Sequence, residues 1–218
     1  MFINYSLILF IVGYNTTEKD FLSAKGVLMT IVSIWCRHVG DSIIGIGPDI
    51  PWNIPSDAKR FRNITINNTL VVGKTTYETF PNRTLPNRKF VVLSDVADYE
   101  VSDNINHKVV TDINQLKDYP EDLYVSGGAS VYKAFFTIEK IMPDVVVDCV
   151  YHGKIKEGLS GPKISVQPCV EVLERKYFAL PQKFELDNVI TTVWLKKGDF
   201  VEQKTVKKIL NYLETEGK

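Results

Sequence analysis

The stretch Leu123-Tyr124-Val125-Ser126-Gly127-Gly128-Ala129-Ser130-Val131-Tyr132 begins as an apolar strand, turns at two glycines and continues as the start of a helix. Adjacent glycines at such a turn allow the backbone to approach a phosphate, and the N-terminus of the helix offers free N–H groups. The spacing differs from the G-x-G-x-x-G fingerprint of dinucleotide-binding proteins. Two interpretations therefore stay open, a phosphate-binding turn and an ordinary tight turn.

Short apolar runs and helix-like segments alternate on both sides of this unit. The predicted strands are Ile31–Cys36, Leu70–Val72, Phe90–Leu93, Lys108–Val110, Leu123–Val125 and Val145–Val150, and the predicted helices are Pro55–Asn63, Thr75–Phe80, Ile113–Asp118 and Ser130–Phe136. This alternation predicts an α/β fold with a mostly parallel central sheet and helices on both faces. Two further strands, Glu171–Phe178 and Val189–Lys196, have no helix between them and predict an antiparallel edge strand.

The ends of the chain differ from this pattern. Residues 1–28 contain an apolar run without a preceding basic residue, so we expect an N-terminal extension rather than a secretory signal, with the folded domain covering residues 29–200. Gly153–Pro168 is predicted to be a loop. In residues 201–218, apolar residues at i, i+3, i+4 and i+7 predict an amphipathic helix whose stripe is Val206, Ile209, Leu210 and Leu213.

Composition excludes several classes of protein. The chain has 218 residues with 26 basic and 26 acidic side chains, and this zero net charge argues against a nucleic-acid-binding protein. No apolar run approaches the length of a membrane span. The three cysteines form no CxxC pair, so we expect no metal site, no disulfide framework and a reducing, cytoplasmic location.

Three local features could carry chemistry. Asp57 and Phe61 lie at i and i+4 of a predicted helix, where an acid beside an aromatic suits a flat, hydrogen-bonding heterocycle, although Asp57 could simply cap the helix. Gly73-Lys74-Thr75 lacks the upstream glycine of a P-loop but could still bind a phosphate at a helix start. Arg88 lies in a turn before a strand. It could bind a carboxylate bidentately, or it could simply face solvent.

Six segments occur together in an order that is typical of one family. They are Ile44-Gly45, Pro51-Trp52-Asn53-Ile54-Pro55-x-Asp57-x-x-x-Phe61, Val72-Gly73-Lys74-Thr75-Thr76-Tyr77-Glu78, Leu85-Pro86-x-Arg88, Val92-Leu93-Ser94 and Gly127-Gly128-x-x-Val131-Tyr132. In combination they resemble dihydrofolate reductase. The resemblance implies the three-layer fold of that family and NADPH-dependent reduction of 7,8-dihydrofolate, with hydride transfer to C6 and protonation of N5.

The resemblance also implies roles for individual residues. Asp57 matches the active-site carboxylate, Trp52 the tryptophan that orders a site water, and Ile50 the hydrophobic residue of a flexible loop. The implied substrate contacts are Trp35, Cys36, Asp57, Ala58, Phe61, Phe80, Leu85, Arg88, Ser126 and Asp148, with Arg88 clamping the glutamate carboxylate. The implied cofactor contacts are Arg37, Ile44, Gly45, Gly73, Lys74, Thr75, Thr76, Leu93, Ser94, Asp95, Gly127, Gly128, Ala129, Ser130, Val131 and Tyr132.

The sequence departs from the family pattern at three positions. Asp148 stands where the family has a threonine beside the catalytic carboxylate, so Asp57 and Asp148 would titrate as a pair; a strand shifted by one residue would instead turn Cys149 inward. Asp95 and Ser130 replace a frequent hydroxyl and a frequent arginine near the cofactor's 2′-phosphate, whereas Lys74 favours NADPH.

The same fold and composition allow two other functions. One is a pyrimidine reductase of riboflavin biosynthesis, and the other is a non-catalytic nucleotide-binding relative. We expect a small-molecule substrate, no nucleic-acid or membrane partner, and a monomer or homodimer.

Overall fold

The computed structural model describes residues 29–96, 98–103, 105–198, 201 and 203–216. The expected extension over residues 1–28 lies outside the described residues and stays a prediction. The strands are β1 Ile31–His38, β2 Ile43–Ile46, β3 Thr69–Gly73, β4 Lys89–Leu93, β5 His107–Val110, β6 Leu123–Val125, β7 Val145–Tyr151, β8 Lys163–Ser165, β9 Tyr177–Leu186 and β10 Val189–Lys196. The helices are α1 Pro55–Thr65, α2 Lys74–Thr79, α3 Ala129–Thr137, α4 Gln167–Lys176 and α5 Gln203–Thr215.

A single large sheet organises the described part of the chain. Its eight strands follow the order β5-β4-β3-β6-β1-β7-β10-β9. The pairs from β5 through to β7 are parallel, and β10 runs antiparallel to both of its neighbours. The predicted α/β fold with a mostly parallel sheet is therefore confirmed, although the antiparallel strand β10 lies one position in from the edge. β2 and β8 form a separate two-stranded ribbon.

Helices cover both faces of this sheet, which makes three layers. Strand residues alternate between two buried clusters: Val32 and Ile34 of β1 face one cluster, while Ile31 and Trp35 face the other. The first cluster includes residues of α1, α2 and α5, and the second includes residues of α3 and α4. The amphipathic stripe of α5 is buried against the first cluster, as its spacing predicts.

Several predicted elements are wrong in type. The segment Glu171–Phe178 is mostly helix, because α4 runs to Lys176 and only then does β9 begin. Pro168 in the first turn and Arg175 and Lys176 in the last turn are ordinary helix-end signals. The helix predicted at Ile113–Asp118 is a short 3-10 turn over Ile113–Leu116.

Two short strands are absent from the sequence prediction. The predicted loop Gly153–Pro168 contains β8, and its partner β2 is the other strand of the ribbon. Both strands have only three or four residues, so their side-chain pattern is too short to identify them.

The parallel order brings the carboxyl-terminal ends of six strands, β5 through to β7, to one edge of the sheet. β4, β3, β6 and β1 are consecutive neighbours, so the loops that follow them meet there. Open α/β sheets bind their ligands at such an edge.

Within the described residues, no helix combines the length and the apolar character needed to cross a bilayer.

Candidate active site

Asp57 lies in the first turn of α1, just after the buried residues Trp52 and Ile54. Ile54 precedes the helix in an extended conformation, and Pro55 opens it, so the chain turns sharply into the helix here. The positive end of the helix dipole favours a carboxylate in this turn. The Asp57 side chain is 23% exposed, which leaves it partly open to a ligand.

Sulfhydryl groups from two neighbouring strands approach Asp57. Cys36 of β1 hydrogen-bonds with the carboxylate, and Cys149 of β7 lies beside Cys36 across the parallel pair. Burial raises the pKa of Asp57 above its ordinary value, whereas the Arg60 charge and the Cys36 hydrogen bond lower it and the Glu216 charge raises it. A carboxylate in such a site holds a proton more readily than one in water.

Apolar side chains form a core cluster on the side of the sheet where α1 packs. Trp52 is buried, with its ring centroid 5.3 Å from that of Tyr151. The predicted substrate-binding residues Phe61, Phe80 and Leu85 are half-buried and pack against the same core cluster as Trp52. Two other predicted site residues, Ile50 and Ala58, are exposed, and Ile50 is 63% exposed.

Asp148 does not face Asp57, so the predicted pair of carboxylates is wrong. In the β1–β7 register, Trp35 lies opposite Asp148 and Cys36 lies opposite Cys149. Successive side chains of a strand point to opposite faces, so Cys149 turns towards the Asp57 side and Asp148 turns away. This register agrees with the alternative of a one-residue shift, in which Cys149 faces inward.

The Asp148 side chain is satisfied on the opposite face. Its Oδ1 accepts hydrogen bonds from Trp35 Nε1 at 2.7 Å and from Arg37 Nε at 2.8 Å, and its Oδ2 accepts one from Arg37 Nη2 at 3.0 Å. Arg37 also donates to the Ser42 hydroxyl at 3.2 Å, which connects β1 to the start of β2. The structure therefore gives Asp148 a structural role in this network.

Arg88 is held rigidly at the other end of α1. Its Nη1 donates to the Pro86 carbonyl, its Nη2 to the Arg62 carbonyl, and its Nε to the Thr65 hydroxyl at 3.4 Å. The guanidinium has five N–H donors, so two stay available for a carboxylate. Burial, together with the nearby Arg62 charge, lowers the pKa of Arg88.

Three glycines form a close-packed cradle where β3 and β6 end. A Cβ atom on Gly73 would lie 3.1 Å from Val131, one on Gly127 would lie 3.3 Å from the Tyr132 ring, and one on Gly128 would lie 3.2 Å from the Thr76 hydroxyl. The Gly73 amide donates to the Gly127 carbonyl at 2.8 Å, which ties the two turns together. The Gly127–Gly128 peptide bond is cis.

Two helices begin at this cradle. α2 starts at Lys74 after Gly73, and α3 starts at Ala129 after Gly128; within the described residues, no side chain caps either helix. Their first N–H groups are therefore available to an anion. This arrangement, at the ends of neighbouring strands, fits the diphosphate of a dinucleotide.

The other predicted cofactor residues lie around the cradle in different environments. The Lys74 ammonium stacks 5.5 Å above the Tyr99 ring, and the Tyr132 hydroxyl donates to the Ile34 carbonyl at 2.6 Å. Leu93, the last residue of β4, is half-buried, and after it Ser94 is buried and Asp95 is exposed. Among the other predicted cofactor residues, Thr75 and Ser130 are exposed. Ala129 and Ile44 are half-buried, and Gly45 is buried. Ser126, a predicted substrate contact, is half-buried beside them.

Arg60 and Glu216 also belong to the surroundings of Asp57, and the sequence patterns identify neither. Arg60 is fully buried, with its Nη1 3.5 Å from Asp57 Oδ1 and its Nε 2.8 Å from Glu216 Oε2. The i, i+3 spacing from Asp57 could have indicated Arg60. No local signal could have indicated Glu216, because it lies beyond α5. Among the described residues, no cluster of three or more His, Cys, Asp or Glu side chains could hold a metal ion.

Known proteins share these features. A family model described as dihydrofolate reductase matches residues 30–158. The dihydrofolate reductase of Enterococcus faecium is 33% identical over 124 residues, which are 56% of this chain and 74% of that enzyme. The dihydrofolate reductase of Mycobacterium tuberculosis (strain H37Rv) is 39% identical over 106 residues, which are 48% of this chain and 63% of that enzyme.

A solved structure has the same fold. The dihydrofolate reductase of Enterococcus faecalis, complexed with NADP(H) and RAB-propyl, superposes with a TM-score of 0.60 at 23% identity, covering 78% of this chain and 97% of that one. The family match covers more than half of the chain, and it includes Asp57, Arg88 and the glycine cradle. This chain belongs to the dihydrofolate reductase family.

Proposed function

We propose that this protein reduces 7,8-dihydrofolate to tetrahydrofolate with NADPH. The observation that carries the proposal is Asp57, a partly open carboxylate whose pKa is raised by burial, on the helix α1 that packs in the same apolar cluster as Trp52. Reduction at C6 requires a proton at N5, and a negative group beside the heterocycle stabilises that proton. The family relatives reported above favour this activity over a pyrimidine reductase or a non-catalytic relative.

Several residues would bind and orient the substrate. Asp57 would accept hydrogen bonds from the pterin, and Phe61, Phe80 and Leu85 would contact its rings. Arg88 would bind the glutamate carboxylate with the two N–H groups that its three contacts, to Thr65, Pro86 and Arg62, leave available. This anchoring holds the reacting atoms in place, which accounts for a large part of the rate gain in such reactions.

The cradle fits a nicotinamide dinucleotide. Gly73, Gly127 and Gly128 allow the two turns to pack closely against Val131, Tyr132 and Thr76, and the first N–H groups of α2 and α3 would bind the diphosphate. When bound, NADPH supplies the hydride, and the protein supplies orientation and charge. Lys74 would bind the 2′-phosphate that distinguishes NADPH from NADH.

The test is turnover of dihydrofolate, followed by the loss of reduced-nicotinamide absorbance. Asp57→Asn keeps the shape of the side chain and removes its charge. We expect kcat/KM near neutral pH to fall by about 10² to 10⁴-fold. Because N5 must then take its proton from solvent, the residual activity should increase as the pH falls.

The matched control is Asp187→Asn, in the turn between β9 and β10, which should leave kcat/KM unchanged. The proposal fails if the wild-type chain shows no turnover of dihydrofolate. It also fails if Asp57→Asn keeps full activity at neutral pH.

Location and assembly are further parts of the proposal. The three cysteines in the described residues are free, and Cys149 and Cys169 are buried, which fits a protein of a reducing compartment such as the cytoplasm. We further propose a monomer or homodimer without a nucleic-acid or membrane partner. Cell fractionation and sedimentation of the purified chain test these points.

A further inference from the structure

The side chain of Arg60 is completely buried between α1 and α5. A buried guanidinium is costly unless charged or polar groups surround it. Glu216 provides one such group: its Oε2 accepts a hydrogen bond from Arg60 Nε at 2.8 Å, and the Glu216 side chain is only 3% exposed. The last described residue of the chain therefore contributes a buried charge beside the candidate active site.

Arg60 also faces Asp57, one helical turn earlier on α1. The distance from Arg60 Nη1 to Asp57 Oδ1 is 3.5 Å, at the outer limit of a hydrogen bond, whereas the contact with Glu216 is short. The Nη2 group of Arg60 is buried and has no hydrogen-bond partner among the described residues. The Arg60 guanidinium therefore contacts two carboxylates, and its contact with Glu216 is the shorter one.

Glu216 reaches this position through α5, which the family match at residues 30–158 does not include. The buried stripe of α5 packs on the same core cluster as Trp52 and Ile54. Tyr212, one turn before Glu216, contacts it through its hydroxyl at 3.4 Å. Packing of α5 therefore fixes where the Glu216 carboxylate lies.

We propose that Glu216 is a positioning residue for the reaction: it holds Arg60 away from Asp57 and limits how much of the Arg60 charge acts on the catalytic carboxylate. The inference rests on the proposed role of Asp57. In this inference, α5 influences proton delivery to the substrate, because it positions Glu216. Neither Glu216 nor Arg60 would touch the substrate.

Charged and titratable groups approach Asp57 from several elements. Arg60 comes from α1, Cys36 from β1, Cys149 from β7, Tyr132 from α3 and Glu216 from the end of α5. Burial raises the pKa of both thiols, that of Cys149 to about 12, and raises the pKa of Tyr132, so these three groups stay neutral near pH 7. Arg60 and Glu216 are therefore the charges that act on Asp57.

The two charges have opposite effects on the pH profile. The reaction consumes a proton at the site, so kcat/KM falls as the pH rises beyond the point where that proton is lost. Removing the negative charge of Glu216 makes the site bind the proton less tightly. Removing the positive charge of Arg60 makes it bind the proton more tightly.

The experiment measures the alkaline limb of kcat/KM for NADPH-dependent reduction of dihydrofolate in the full chain. We expect Glu216→Gln to shift the limb to lower pH by about half a unit or more, and Arg60→Gln to shift it to higher pH by about one unit. Arg60→Lys, which keeps the charge, should restore most of the wild-type profile. The control is Glu214→Gln, on the same helix but hydrogen-bonded to Gln182, which should leave the limb unchanged.

A purely structural role predicts a different result. Breaking the buried pair would then lower the melting temperature of both variants while their alkaline limbs superpose on that of the wild type, and this outcome overturns the inference. If Glu216→Gln does not fold, Glu216→Asp is measured instead. It keeps the charge but withdraws it from Arg60 Nε, so the limb should again shift to lower pH, and an unshifted limb also overturns the inference.

The outcomes separate this inference from the proposed function. Absent turnover in the wild type, or full activity in Asp57→Asn, contradicts the function itself. An active wild type and an impaired Asp57→Asn, combined with unshifted limbs in the Glu216 and Arg60 variants, contradicts only the role of Glu216.

Discussion

Asp148 is a buried carboxylate whose two oxygens both accept hydrogen bonds. The Arg37 guanidinium binds it bidentately, and the Trp35 indole adds a third donor at 2.7 Å. Charge-assisted, bidentate contacts of this kind are strong and fix the orientation of both side chains. The pair thus joins β1 and β7 at the point where Cys36 and Cys149, on the opposite face of the sheet, lie near Asp57.

We predict that Asp148→Asn destabilises the protein without changing the proton chemistry of the site. The variant leaves Arg37 with a weaker partner in a mostly buried position, so the free energy of unfolding should fall by about 3 kcal/mol. Urea unfolding measures this loss. The alkaline limb of kcat/KM should stay where it is, because Asp148 faces away from Asp57; a shifted limb would contradict the register described above.

Lys74 is the residue that we propose distinguishes the two nicotinamide cofactors. It opens α2 at the edge of the cradle and stacks on Tyr99, while exposed Asp95 offers a negative group after β4. We predict that Lys74→Ala raises the KM for NADPH by about tenfold, through loss of a charged contact, and leaves the KM for NADH nearly unchanged. Steady-state kinetics with each cofactor tests this, with the exposed Lys133→Ala of α3 as the control. Equal effects on the two cofactors would remove Lys74 from the phosphate site.

At the scale of elements, β5 depends on a buried histidine. His107 is 5% exposed, its Nδ1 lies 2.7 Å from the Tyr77 hydroxyl, and its ring packs 4.9 Å from that of Phe90. Burial lowers the pKa of His107 below its ordinary value of 6.5, although Asp103 partly opposes this. The edge of the sheet is therefore built around a neutral imidazole.

This histidine makes stability depend on pH in a defined direction. The folded chain binds a proton on His107 less tightly than the unfolded chain. The contribution of neutral His107 to the free energy of unfolding is therefore complete above pH 6.5 and is lost as the pH falls through the lowered folded-state pKa. We predict that urea unfolding of the wild type gives a lower free energy at about pH 5.5 than at about pH 7.5, and that His107→Gln reduces this difference. An unchanged difference in the variant would show that other groups cause it.

The elements also show which structure a sequence can predict. β6 and β10 match their predicted bounds, because turn residues lie directly before and after each of these apolar runs. The direction of Asp148 was not predictable, since Val145–Val147 is apolar on both faces and gives no alternation that would fix the register. The pattern before Phe178 does not reveal α4, because Pro168 is compatible both with a helix start and with the preceding loop.

At the scale of the whole molecule, the candidate site depends on contacts between distant parts of the chain. Asp57, Phe61 and Arg88 could be predicted, because they belong to local motifs that match a family. The Glu216–Arg60 contact spans 156 residues and follows from where α5 docks, which no local pattern determines. The helix itself was predictable from its apolar stripe, but its docking position was not.

α5 packs on the core through a buried apolar stripe that includes Leu210. Leu210 is 1% exposed and lies in the core cluster that also contains Trp52, whereas Asn211 on the same helix is exposed. We predict that Leu210→Ala lowers the free energy of unfolding by about 2 to 5 kcal/mol, because it removes buried methyl groups and leaves a cavity. Asn211→Ala should change it by less than about 0.5 kcal/mol.

The mode of unfolding distinguishes a core helix from an appended one. If α5 is part of the main core, helix content and tryptophan fluorescence of Leu210→Ala should decrease in a single urea transition, shifted as a whole to lower concentration. If α5 were only attached, it would separate first, and the fluorescence transition would keep its wild-type midpoint. Because a loosened α5 would also release Glu216 from Arg60, that second result would count against a stable charge arrangement at Asp57.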